Sequence, residues 1–196
     1  MGREALAAVE KRARRRHALI VFEDESGVSL LPSVRATWAP RGQTPVLRHH
    51  FAWKRLSIAA ALVYEPDGRD AHLVFQLRAG AYNGESLIEF LTELHLHEQQ
   101  RVVLLIWDGL PAHRSRCMMD WIASQRSWLW VERLPGYAPE LNPTEQVWGN
   151  VKSTELANLC ADTIGEVAEA ADDGLTRIKS DAPLCFAFLR HTGLRL

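Results

Sequence analysis

Apolar residues fall along this chain in two rhythms, unbroken runs and helical stripes. Val102 to Asp108 reads VVLLIWD, five apolar residues and a Trp closed by an acid beside Gly109 and Pro111. That predicts a strand buried on both faces that ends where the backbone turns. Ala18 to Phe22 (ALIVF) is a second run of this kind and ends in Glu23, Asp24 and Glu25 before Ser26 and Gly27. Leu56 to Tyr64 and His72 to Leu77 flank the turn Glu65-Pro66-Asp67-Gly68 and predict a hairpin, and Ser127 to Val131 predicts a last short strand.

The helical stripes lie between and after these runs. Glu85 to Gln99 carries Leu87, Ile88, Leu91 and Leu94 on one face, and His113 to Gln125 carries Cys117, Met118, Trp121 and Ile122. His95 and His97 are two apart, which on a helix sends them to different sides and argues against a metal pair. Asn142 and Pro143 suit an N-cap and first helical position, with Glu145 as the acid of a capping box. Asp162-Thr163 with Glu166 predicts another cap, followed by an apolar face of Ile164, Val167, Ala168, Ala171, Leu175 and Ile178. Pro183 to Leu189 adds an apolar segment that can dock on it. Strand, hairpin, helix, strand, helix, strand, helix is the order of an α/β fold, a mixed central sheet with helices on both faces.

Composition narrows this picture. A chain of 196 residues with 47% hydrophobic content is long enough for one well-filled domain. The formal charge of −1 hides an asymmetry. Residues 1–17, a basic N-terminal segment, hold six Lys/Arg against two acids. Residues 32–55 hold five Lys/Arg (Arg35, Arg41, Arg48, Lys54, Arg55), the pair His49/His50 and no acid. This second stretch opens at Pro32 and is loop-like and long for a connection; Trp38 and Trp53 among its cations suit a nucleic-acid strand, or else fold onto the core. Cys117, Cys160 and Cys185 are too scattered for a disulfide framework or zinc cluster, and no apolar run approaches a membrane span, so a cytoplasmic location is expected.

The candidate chemistry lies in three acids. Asp108 alone reads as a turn residue and Glu145 alone as a cap. Two inner strands that each deliver a carboxylate at the same end can bring those groups together, where a shared cation offsets their repulsion. Asp24 to Asp108 is 84 positions (108 − 24), and Asp108 to Glu145 is 37 (145 − 108).

The ordered segments FEDES, LLIWDGLPAHRS and LPGYAPELNPTEQVWGNVK resemble the catalytic core of DDE transposases of the Tc/mariner superfamily, in its bacterial insertion-sequence branch, over roughly residues 21–152. The resemblance implies a ribonuclease H-like catalytic domain over residues 18–196, with a clamp-like insertion at about 32–55. It implies Asp24, Asp108 and Glu145 as catalytic residues and metal ligands. Two Mg²⁺ or Mn²⁺ ions would activate water or a 3′-hydroxyl and stabilise the leaving oxygen. Arg35, Trp38, Arg41, Arg48, Lys54, Arg55, His113, Asn142 and Lys152 are the expected nucleic-acid contacts. The implied reaction is cleavage at the ends of a mobile element and strand transfer into target DNA, a TA dinucleotide in the family.

Full transposases of this branch carry helix-turn-helix domains ahead of the catalytic core, for which seventeen residues are too few. The expectation is therefore a catalytic half whose DNA recognition comes from a separate helix-turn-helix polypeptide, or a truncated remnant, acting as a homodimer on DNA away from membranes. Two alternatives are another ribonuclease H-like nuclease or resolvase, and a non-catalytic DNA-binding or assembly remnant.

Overall fold

The computed structural model describes residues 11–49, 54–136 and 138–194. Helix α1, described over residues 11–16, leads into β1 (Leu19–Ser29) and the hairpin β2 (Arg55–Tyr64) and β3 (Ala71–Ala79). Then follow α2 (Gly84–His97), β4 (Val103–Trp107), α3 (Arg116–Ser124), β5 (Leu129–Arg133), α4 (Thr144–Ser153), α5 (Ile164–Lys179) and α6 (Ala182–His191). The sheet order is β3-β2-β1-β4-β5, with β1–β2 and β2–β3 antiparallel and β1–β4 and β4–β5 parallel.

Because side chains alternate along a strand, each central strand feeds two cores. Ile20, Phe22 and Val28 of β1, with Leu104 and Ile106 of β4, meet Val147, Trp148, Leu175, Ile178 and Phe188 of α4, α5 and α6. Leu19, Val21, Leu105 and Trp107 point the other way, against Leu87, Phe90, Leu91 and Leu94 of α2 and Met118 of α3. This explains why ALIVF and VVLLIW are apolar throughout: they are inner strands covered on both faces.

Helix α5 starts as expected. Glu166 N donates to Thr163 Oγ1 at 3.3 Å, and Asp162 N donates to Glu166 Oε2 at 3.1 Å. Three boundaries differ from the sequence expectation. Strand β1 does not stop at Phe22 but runs to Ser29, because β2 pairs with it along that whole length. Helix α3 begins at Arg116, after a 3₁₀ turn at Ala112–Arg114, since the Ser115 hydroxyl caps it by accepting from Met118 N at 3.4 Å. That later start leaves Cys117 exposed rather than on the buried face. At α4 the carbonyl of Asn142's side chain accepts from Thr144 N at 3.1 Å, and Glu145 is not drawn into a capping box.

The basic insertion is a loop. Residues 34–49 carry no helix or strand, and Trp38 is 101% exposed rather than folded onto the core. Arg3, His50 and Trp53 lie outside the described residues. Among the described residues no helix is long and apolar enough to cross a membrane.

Candidate active site

The site begins with sheet register. Phe22 lies opposite Ile106 in the parallel pair β1–β4, and two residues further along each chain stand Asp24 and Asp108. Strand β4 ends at Trp107, whereas β1 continues, held on its other edge by β2 with Asp24 opposite Ala60. Asp24 therefore sits where β1 has lost its parallel neighbour.

Helix α4 supplies the third acid and is fastened to the same strand. Thr144 Oγ1 donates to the Phe22 carbonyl at 2.9 Å, and one turn later Trp148 Nε1 donates to Asp24 Oδ2 at 2.8 Å. Glu145, between them in sequence, is turned to the exposed side. Asp24, Asp108 and Glu145 line one cleft of about 600 Å³, together with Leu110, Arg114 and Asn142.

The acids differ in charge state. Burial raises the Asp24 carboxyl from 3.8 to about 7, partly opposed by the Trp148 hydrogen bond and reinforced by the negative charges of Glu145 and Glu25. Burial also disfavours ionised Asp108, but hydrogen bonds from His113 and the Leu110 amide outweigh it and hold this carboxyl below its ordinary value. His113 Nδ1 stands 2.9 Å from Asp108 Oδ1, and Nε2 stands 3.2 Å from Glu25 Oε1. Burial alone would lower the His113 pKa; its bonds to Asp108 and Glu25 and the field of Glu23 lift it to about 10. The ring is thus an imidazolium, stacked on Trp107 at 4.0 Å between centroids.

Glu23 and Glu25 flank Asp24 in a strand, so both face away from the cleft. Glu23 is fully buried with no hydrogen-bond partner on either carboxyl oxygen, and burial together with Glu25 pushes its pKa well above the usual carboxylate range. It is a buried carboxyl beneath the site whose ionised form is disfavoured.

The expected nucleic-acid contacts separate into groups. Arg35, Trp38, Arg41, Arg48 and Lys54 are exposed on the loop between β1 and β2, and Arg55 opens β2. Lys152 is half-buried on α4 and donates to Ser26 Oγ at 3.1 Å. His113 and Asn142 are only 1% and 3% exposed: the His113 ring bridges two carboxylates, and the Asn142 side chain caps a helix while its residue lines the cleft. Arg114, which sequence reading missed, lines the cleft one residue after the buried His113. The pair Trp148–Asp24 was also missed. Its only signal was the alternation Ile20, Phe22, Asp24, Ser26, Val28, which continues the strand on one face.

Among the described residues two groups have ligand atoms within 4.8 Å of one another, Glu23/Glu25/His113 and His72/His97/Glu98. The three cleft acids are not such a group; they ring the cleft from two strand positions and a helix start.

Residues 19–167 match the family model described as DDE superfamily endonuclease. The chain belongs to that family. Its fold is ribonuclease H-like and is shared with Mos1 transposase. The Mos1 paired-end complex with left transposon end superposes with a TM-score of 0.65 at 17% identity, covering 97% of this chain and 56% of that one. The Mos1 mariner paired-end complex with Mn gives 0.65 at 19% identity, with coverages of 97% and 56%. The catalytic domain of Mos1 mariner transposase gives 0.53 at 16% identity, covering 98% of this chain and 92% of that one. The chain thus spans little more than half of the longer Mos1 chains. No curated protein matches it.

Proposed function

We propose that this chain is the catalytic core of a transposase of the bacterial insertion-sequence branch of the Tc/mariner superfamily, cutting DNA strands and transferring the freed ends. The observation that carries this is the register match of Asp24 and Asp108 on neighbouring parallel strands, with Glu145 on the same cleft. The donor set fits divalent cations: three carboxylates, hard oxygen ligands, on an open cleft where burial, reinforced by the charges of Glu145 and Glu25, already raises the Asp24 pKa to about 7. Asp24, Asp108 and Glu145 would hold Mg²⁺ or Mn²⁺, two ions in all. These supply Lewis acidity to the scissile phosphate and lower the pKa of the attacking hydroxyl.

The protein's own groups do the rest. Asp24 releases its proton when a cation is held. His113 keeps Asp108 ionised and aimed at the cleft. Arg114 at the rim offsets phosphate charge. In the first step a water oxygen bonds to phosphorus and the P–O3′ bond breaks, leaving a 3′-hydroxyl and a 5′-phosphate. In the second that 3′ oxygen attacks a target phosphate and displaces the target's own 3′ oxygen. Arg41, Arg48, Lys54 and Arg55, with Trp38 as a stacking surface, hold flanking DNA. The DNA-end complexes of Mos1 support DNA as partner. A second copy of the chain, and a helix-turn-helix polypeptide for end recognition, complete the assembly.

The test is Mn²⁺ calorimetry beside nicking of element-end DNA, on wild type and on Asp24→Asn, Asp108→Asn and Glu145→Gln. Weakened Mn²⁺ binding and lost nicking in all three are expected. Unchanged metal binding in every folded variant overturns the assignment; DNA binding that survives without any nicking, even by wild type with Mn²⁺, leaves an assembly role instead.

A further inference from the structure

A second cluster of ligating side chains lies on the edge strand β3, two strands from β1 and apart from every residue of the cleft. His72 is the second residue of β3 and alternates with Ala71 and Leu73 toward the face covered by α2. Helix α2 ends at His97, with Glu98 as its C-cap. Gln99 and Gln100 then take left-handed backbone at φ 54° and 59°, a sharp reversal that fixes Glu98 before the chain enters β4. His97, two residues from His95 on α2, stands beside Glu98 and close to His72 of β3.

The geometry is convergent. A single oxygen, Glu98 Oε1, lies 2.8 Å from His72 Nε2 and 2.8 Å from His97 Nδ1. All three ligand atoms fall within 4.8 Å of one another, and the two rings are 6.0 Å apart between centroids. Ligands 2.0 to 2.2 Å from a tetrahedral zinc stand roughly 3.3 Å from each other, so the cluster needs only small side-chain shifts to close on an ion. The Glu98 side chain is 9% exposed and held from below, whereas that of His97 is 50% exposed, which leaves one side open to water. The nearby Arg101 guanidinium is paired with both oxygens of Glu65, so its charge is largely balanced.

We infer that His72, His97 and Glu98 form a zinc site that ties the edge strand β3 to the end of α2. Two imidazole nitrogens and one carboxylate oxygen suit Zn²⁺, with water as fourth ligand, and suit Mg²⁺ poorly because Mg²⁺ favours oxygen octahedra. On binding, the proton on each ring sits on the nitrogen turned away from Glu98, and the facing nitrogen offers its lone pair to the ion. The site selects a different metal from the cleft and acts on stability rather than on phosphoryl transfer.

The test is Zn²⁺ calorimetry, with Co²⁺ visible spectra, in excess Mg²⁺ to occupy the cleft. Wild type is expected to take one Zn²⁺ per chain and to gain thermal stability with it. His72→Ala and His97→Ala, both at partly exposed positions, should each weaken binding by ~10-fold or more and abolish the zinc-dependent rise in Tm. Asp24→Asn should bind Zn²⁺ as wild type does. The proposal is overturned if folded His72→Ala titrates like wild type, or if folded wild type binds no Zn²⁺. Zinc lost with Asp24→Asn instead would move the ion to the cleft, overturning this site while leaving the transposase reading standing.

Discussion

Asp24 is an expensive residue in the metal-free protein. Its carboxyl titrates near 3.8 when unfolded and at about 7 when folded, so the folded state binds the extra proton between those values. Stability contributed by the protonated group is present at low pH and is lost as pH rises from about 4 to about 7. Asp24→Asn keeps an oxygen for Trp148 Nε1 and removes this loss; without metal at pH 8 it should unfold on the order of 2 kcal/mol later than wild type in urea. An Asn variant no more stable than wild type at pH 8 contradicts the raised pKa. His113 works in the opposite sense. His113→Ala would leave Asp108 and Glu25 without their common cation and should cost ~3 kcal/mol, measurable by denaturant titration, with weaker Mn²⁺ binding. Burial and the negative charge of Glu25 disfavour ionised Glu23, so Glu23→Gln should not lower the thermal midpoint.

At the scale of elements, one contact fastens a helix to the sheet and another sets two helix starts against each other. The α4 contact depends on Thr144, whose hydroxyl satisfies the Phe22 carbonyl at the point where β1 outruns β4. Thr144→Val keeps the shape, strands that buried carbonyl and should cost ~1–3 kcal/mol, with a further loss of metal affinity because Glu145 moves with the helix. The start of α2 depends on Gly84. A Cβ there would stand 2.3 Å from Ser115 Oγ and 2.7 Å from Cys117 Sγ, atoms of the α3 cap. Gly84→Ala should destabilise by ~1–3 kcal/mol despite the better helix propensity of Ala, and an unchanged urea midpoint would show that the two helix ends are less closely apposed. The strand and helix types were legible because their apolar periods are clear. The end of β1 was not, since Glu23, Asp24 and Glu25 look like a turn until β2 is known to pair with them.

On the scale of the whole molecule, the loop of residues 34–49 and the sheet are separable. The loop's cations are exposed and add little to the core, so Arg41→Ala and Arg48→Ala should leave Tm unchanged. Each should reduce the slope of log affinity for DNA against log salt by ~1 if it contacts a phosphate, which filter binding across salt concentrations reads directly.

The chain by itself determined the inner strands, the helices that follow them, the basic insertion and the placing of three acids after two apolar runs and at a helix start. These are local properties, set by side-chain size, polarity and period. Only the tertiary structure decided that Asp24 and Asp108 share a register, that Glu145 faces a cleft rather than a cap, and that His113 is a buried bridge. The same is true of the meeting of His72, His97 and Glu98 across an edge strand and a helix end. Those facts depend on which strand pairs with which, and on hydrogen bonds between residues more than a hundred positions apart, such as Trp148 to Asp24. Such long-range pairing leaves no periodic mark on either partner's own stretch of chain.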